Sequence, residues 1–237
     1  SGIPSETLLT NLRTSRGSVL NNRGTGSGGE ESESELLDSD VAYFSQTGTP
    51  NNGGVGLSLA NCTFENPCGP TDFSQTGVNT LNSLLPNTLM FFNGGTYNAL
   101  DATGSNPITL NSGQGVNART ADYSQAATGS GRSVFNGAFI LNTNNTLANI
   151  ILLPTAATAS GTGVTDNNGT NDFIRGSQIG NINNLYNVGV VISTNQLTIT
   201  NSVIFGNNRG IRADNGSVLF IQGSQINTVS PSGGTTG

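Results

Sequence analysis

Beyond residue 100 the chain carries five carboxylates, Asp101, Asp122, Asp166, Asp172 and Asp214, and five arginines. Their chemistry has to be weighed first. Glycoside hydrolysis needs two carboxyl groups facing each other across the scissile bond. These five acids read as mostly single residues in Asn/Gly-rich loops, and no DxD or DD pair falls on a strand. A β-elimination would need clustered acids to hold calcium and a basic residue to take the proton. The nearest approaches in sequence are Arg175 with Asp172 and Arg212 with Asp214. Each reads more simply as a surface ion pair or a loop anchor.

Other chemistries are closed by composition. There is no His, so the commonest general base and metal ligand is missing. All eight basic residues are Arg, which excludes a lysine Schiff base, a P-loop phosphate clamp and a Lys–Asn isopeptide cross-link. Cys62 and Cys68 alone cannot make an ordinary zinc site. In NCTFENPCGP their spacing and Pro67 fit a small clipped loop. A disulfide there predicts an oxidising compartment, with two buried free thiols as the alternative. No catalytic residue, metal or cofactor is therefore expected. The net charge of −6 argues against nucleic acid and against an anionic membrane surface as partners. No apolar run reaches the ~18 residues that span a bilayer, and no signal peptide is present. The chain reads as a mature fragment whose export signal is lost or lies elsewhere, with no membrane insertion of this segment.

What must position such residues follows from a repeat. FIRGSQI at 173–179 returns as FIQGSQI at 220–226, with LTITNSVI (197–204) between them. Pairing Ile174, Ile199 and Ile221 puts Gly176-Ser177, Asn201-Ser202 and Gly223-Ser224 in register. VFNGAFI (134–140) has the same form, with Phe135 in the isoleucine slot, and LANIIL (147–152) is a further rung. VGVVIS (188–193) aligns with RGIRAD (209–214), Gly189 on Gly210. A repeat of about 21–25 residues means a stacked solenoid. The leucine-rich pattern is absent and no segment between strands suits a helix per repeat. The expectation is a right-handed parallel β-helix of about seven turns between residues 88 and 230. Its narrow core would be filled by files of Ile, Leu and Phe, with Asn, Gly and Ser at the corners.

The composition agrees: 33% hydrophobic and only 9% charged, too little charge for a typical disordered chain. Residues 1–40 hold three Arg and seven acids and read as an acidic linker or tail, partly disordered, with one weak helix near the start. Residues 41–237 form the solenoid domain. Val78, Leu81, Leu84 and Leu85 share a helical face, so 78–85 is expected to cap the N-terminal end. No comparable plug is visible at the other end, where TVSPSGGTTG trails off, and the natural protein is expected to continue past Gly237.

Alternation then defines a candidate binding face. If Ile174, Ile199 and Ile221 point inward, Phe173, Thr198 and Phe220 point outward, with Arg175, Thr200 and Gln222 in a second column beside them. Two rings flanking a threonine, bordered by polar groups, suit a sugar ring or a protein partner. The competing expectation is that long loops such as 154–171 fold over the phenylalanines.

Several phrases also resemble a known family. CTFENPCGPTDF, LPNTLMFFNGGTY, LNSGQGVNARTADYSQAATG and RSVFNGAFILNTNNTLANIIL are similar to passenger segments of inverse-autotransporter (invasin/intimin-type) outer-membrane proteins of Gram-negative bacteria. The opening SGIPSETLL resembles the stretch after the export barrel. The likeness covers most of residues 40–205 and carries no catalytic motif and no ligand residue. It implies a cell-surface, adhesive β-helix anchored in the outer membrane through a barrel absent from this chain. The partner implied is a host-cell surface protein or glycan, met by a monomeric segment. A secreted polysaccharide-binding or polysaccharide-cleaving β-helix is the alternative, and a spacer without any ligand is the third.

Overall fold

The computed structural model describes residues 41–49, 62–70, 72–73, 86–100, 105–167, 169–193, 196–214 and 216–229. The acidic stretch 1–40 and the expected capping helix at 78–85 lie outside them. Strand β1 (Val41–Thr49) comes first. From there the chain winds, and each of the next four windings lays down three short strands. The first supplies β2 (Leu89–Asn93), β3 (Thr96–Ala99) and β4 (Ile108–Thr109). The second supplies β5 (Gly115–Arg119), β6 (Val134–Gly137) and β7 (Phe139–Leu141). Then come β8 (Thr146–Ala148), β9 (Ile151–Leu153) and β10 (Thr162–Asp166), followed by β11 (Asp172–Arg175), β12 (Gln178–Ile179) and β13 (Tyr186–Ile192). The last two windings are β14 (Gln196–Thr200) with the long β15 (Val203–Ala213), and β16 (Val218–Gln222) with β17 (Gln225–Thr228).

Like strands pair with like, one winding apart, and among the described residues every strand ladder is parallel. Three faces result. The first runs β1-β2-β5-β8-β11-β14-β16. The second runs β3-β6-β9-β12-β15-β17 and the third β4-β7-β10-β13-β15. The two are joined because β15 spans both: Val203–Gly206 pairs with β17 and Arg209–Ala213 with β13. This is the right-handed parallel β-helix expected from the repeat.

The core is three files of side chains, each stacked on its equivalent one winding away. On the first face Ala42, Met90, Val116, Leu147, Ile174, Ile199 and Ile221 are successive partners. The second file is Tyr97, Phe135, Leu152, Ile179, Ile204 and Ile226. The third is Ile108, Phe139, Val164, Val190 and Ile211. Most of these side chains are fully buried, and burial of one aliphatic side chain contributes roughly 1.5–3 kcal/mol. At the N-terminal end the files give way to an aromatic cluster, with Phe44 stacked on Phe92 at 4.6 Å and Phe73 edge-on to both.

The expected pairing of Ile174, Ile199 and Ile221 holds, as does Gly189 opposite Gly210. Two details differ. Phe135 belongs to the second face, opposite Tyr97 and Leu152, and not to the Ile174 file. The winding is also less regular than a 21–25-residue repeat. Leu89 pairs with Gly115 and Gly115 with Thr146, while Thr146 pairs with Phe173, Phe173 with Thr198 and Thr198 with Phe220. Successive steps are therefore 26, 31, 27, 25 and 22 residues, giving six windings rather than seven from Leu89 onward. The extra residues sit in corner loops, where length costs little.

The corner after the first face explains the GSQI phrase. Asn149, Gly176, Asn201 and Gly223 occupy one file there, all with φ between 49° and 61°. Asn and Gly are the residues that tolerate this left-handed conformation best. Ser177, Ser202 and Ser224 follow, and each hydroxyl donates to the carbonyl two residues back, on Arg175, Thr200 and Gln222. Each also accepts the N–H of its counterpart in the preceding winding: Ile150 to Ser177, Ser177 to Ser202, Ser202 to Ser224. The recurring serine is thus a stitch between windings.

Candidate ligand-binding face

Alternation along β11, β14 and β16 turns every second side chain of the first face outward. The outward file beside the core reads Val41, Leu89, Gly115, Thr146, Phe173, Thr198, Phe220. The next reads Tyr43, Phe91, Asn117, Ala148, Arg175, Thr200, Gln222. All six residues expected on the outer face therefore lie on it, in the predicted columns. Phe173 is 40% exposed and Phe220 53%, both unusual for phenylalanine. Arg175 and Gln222 are exposed, and Thr198 and Thr200 half-buried.

Whether a loop covers this face differs between its two halves. The N-terminal half is roofed. Asp122 accepts the hydroxyls of Thr120 and Ser124 at 2.6 and 2.7 Å. Thr120 first and Ser124 second hold its carboxyl well below the usual range. The loop so formed lays Tyr123 over the sheet, its hydroxyl donating to the Phe44 carbonyl at 2.8 Å. Tyr123 meets Tyr43 edge-on at 5.0 Å, and Phe64 closes on both rings. Phe64 is carried by the Cys62–Cys68 loop, whose two cysteines form a disulfide. That loop is fastened to β1 by the Tyr43 N–H donating to the Cys62 carbonyl. Among the described residues no loop covers the C-terminal half. Of the 154–171 stretch expected as a lid, 162–166 is strand β10 and 154–161 docks elsewhere: Asn187 donates to the Ala159 carbonyl and the Thr158 hydroxyl to Gly137. It bridges the second and third faces and leaves Phe173 and Phe220 uncovered.

Three arginines lie near one another where the roofed half meets the open one. Arg119 gives its Nε and Nη2 hydrogens to the carbonyls of Tyr123 and Ser124 and lies 4.8 Å over the Phe91 ring. Burial lowers its proton affinity, Tyr43 and Asp122 oppose that, and Arg175 adds a like-charge push. Arg132 donates to the carbonyls of Gly129 and Gly176, the latter next to Arg175. Arg175 itself projects outward at the centre. A cleft of about 470 Å³ opens beside Arg119, between the Asn93–Gly94 corner and the loop ending at Gly131, lined mostly by small and uncharged residues.

Among the described residues the acids do not assemble a catalytic set. Arg175 and Asp172 are three apart on one strand and so point to opposite sides, Arg175 exposed and Asp172 fully buried. The sequence pairing of these two is thus not formed. Arg212 and Asp214 do pair, at 3.3 Å, both on the surface. Asp166 and Asp172, read from sequence as separate loop residues, are brought together inside the coil, each with 0% exposure. Burial raises the Asp172 carboxyl to about 7, against the pull of the Asn145 N–H, and the neighbouring Asp166 carboxyl pushes it the same way through charge and a hydrogen bond. A polymer cannot reach this pair. The burial of Asp172 was legible in the sequence, since alternation places it on the same side as Ile174. Among the described residues no group of three or more His, Cys, Asp or Glu could hold a metal ion, and no helix is long and apolar enough to cross a membrane.

No family model matches the chain. No curated protein matches it either. Among solved structures, the crystal structure of pectate lyase Pel9A superposes with a TM-score of 0.34 at 15% identity, over 71% of this chain and 54% of the lyase. The chain thus spans about half the length of that protein.

Proposed function

We propose that this segment is a non-catalytic binding module, the displayed β-helix of a bacterial surface adhesin, and that it engages its ligand through the bare half of the first face. The observation that carries this reading is the file Phe173–Thr198–Phe220, with two phenylalanine rings held in the open by a rigid sheet. Exposed aromatic side chains of this kind are what a soluble coil would bury unless something binds them. Thr200, Gln222 and Arg175 beside them supply hydrogen-bond donors and acceptors. The Cys62–Cys68 disulfide supports a location outside the reducing cytoplasm. The resemblance of most of residues 40–205 to inverse-autotransporter passengers supports display from an outer membrane, with a host-cell surface protein or glycan as the partner.

Binding of the purified segment to mammalian cells, extracellular matrix and a glycan array tests this. The expected outcome is saturable binding that a Phe173→Ala/Phe220→Ala variant loses while keeping its melting temperature. Cleavage of an acidic polysaccharide, abolished by Arg175→Ala or Arg212→Ala, would replace this reading with a lyase. Unchanged binding in the double alanine variant would exclude the face.

A further inference from the structure

The identity of the ligand can be narrowed by what flanks the two rings, on the premise that this face is where binding occurs. We infer that the bare half of the first face takes an anionic polysaccharide laid along the stacking direction, with sugar rings on Phe173 and Phe220 and an acid group held at Arg175.

Spacing is the first argument. Phe173, Thr198 and Phe220 are direct neighbours in one file, so the rings stand two interstrand gaps apart, roughly 9–10 Å. An extended glycan chain turns the same ring face to one side at every second sugar, a repeat of that size. Thr198 between the rings, and Thr200 and Gln222 beside them, present hydroxyl and amide groups suited to sugar hydroxyls.

Charge is the second. The whole chain is −6, yet Arg119, Arg132 and Arg175 lie near one another where the roofed and open halves meet, with Asp122 as the carboxylate acting on Arg119, and no outward position of the first face from Gly115 to Gln222 is acidic. The three cations are not equivalent. Arg119 and Arg132 are committed to backbone carbonyls, as described. Among the described residues Arg175 makes no ion pair, and it lies exposed on β11, level with Phe173 and two windings from Phe220. One available guanidinium per ring-to-ring interval matches a polymer with one carboxylate or sulfate per disaccharide. A nucleic acid, with a phosphate at every residue, would want a denser row of cations.

Titration calorimetry with four defined polymers tests the assignment: hyaluronan, with one carboxylate per disaccharide; dextran, which is neutral; polygalacturonate, charged at every sugar; and poly-glutamate, an acidic peptide. Hyaluronan is expected to bind more tightly than dextran by at least about tenfold, with an affinity that falls as salt rises. Arg175→Gln should remove that preference and most of the salt dependence. Phe173→Ala should weaken hyaluronan binding while leaving the salt dependence in place. Both variants should keep the circular dichroism spectrum and melting temperature of the parent. Equal binding of dextran, tighter binding of poly-glutamate, or an unaffected Arg175→Gln variant would each overturn the inference. So would binding to none of the four. If cells or matrix are still bound through Phe173 and Phe220 in that case, the adhesive role stands and only the ligand class falls.

Discussion

The carboxyl groups of Asp166 and Asp172 meet inside the coil, at the corner where β10 ends and β11 begins. Asp166 interrupts an otherwise apolar file, between Leu141 and Ile192. Asp172 closes a polar one, accepting the Asn145 N–H at 2.6 Å with Leu197 as its partner on the next winding. No cation faces them from β7, β8, β13 or β14, whose sole titratable side chain is Tyr186, buried and bound to the Gly137 carbonyl. Two carboxylates cannot both ionise cheaply in such a place, so the pair keeps a proton.

This arrangement sets a pH dependence. The folded state holds a proton on Asp172 up to about pH 7, while the unfolded chain releases it near 3.8. A raised folded value means stability is fully present at low pH, falls as pH rises between those values, and levels off above about 7. The expected loss over that window is about 1–4 kcal/mol. Asp172→Asn, whose amide oxygen can still accept the Asn145 N–H and whose NH₂ can donate to Asp166, should flatten the curve. Urea midpoints across the range for both proteins measure this. A parent curve that rises between pH 4 and 7 would refute the shared proton.

Gly176 is constrained twice. Its φ is +59°, and a Cβ there would fall 2.4 Å from Asn149 Oδ1. Gly223 stands in the same relation to Asn201, so Asn and Gly alternate along the file because each asparagine side chain fills the space over the next glycine. Gly176→Ala should cost about 1–3 kcal/mol. In an Asn149→Gly background the same change should cost less, leaving only the backbone strain. A double-mutant cycle by chemical denaturation measures the coupling; strict additivity would argue against the steric part.

Ile199 and Ile221 are partners in the same file but differ in surroundings. Ile199 is fully buried between two windings, whereas Ile221, on the last described winding, is 46% exposed. Ile199→Ala is expected to lose about 2–5 kcal/mol and Ile221→Ala about 1 kcal/mol or less. Equal losses in denaturation experiments would mean that something covers Ile221 in solution.

The Cys62–Cys68 bridge closes only a short loop, so its removal should act locally. With Cys62→Ser/Cys68→Ser, amide exchange at Tyr43, whose N–H donates to the Cys62 carbonyl, should accelerate by about tenfold or more. Amides in β11 to β15 should keep their protection. Hydrogen exchange read by NMR separates this from global destabilisation.

Much of this fold is written in the alternation and recurrence of short phrases, because inward positions tolerate few residue types and the serine stitch fixes its own spacing. The face to which a strand belongs is not written there. All three faces show the same inward–outward pattern, so VFNGAFI looked like a first-face strand although its Phe135 stacks on Tyr97 and Leu152. Winding length was equally hidden, since loops such as the one between Arg119 and Val134 add residues at corners without disturbing the files. The two outward columns could be read because they follow from the parity of Ile174. The meeting of Asp166 with Asp172 required knowing that the intervening residues turn back on themselves.

The stepwise pairing of windings also governs how this protein would yield if pulled from one end. Each coil is held mainly by its immediate neighbours, so tension would detach them in succession instead of all together. The slack released at each event follows from the residue steps of 22 to 31, roughly 80 to 110 Å of extended chain. A tether built this way dissipates load in instalments, which would suit an attachment that must survive flow.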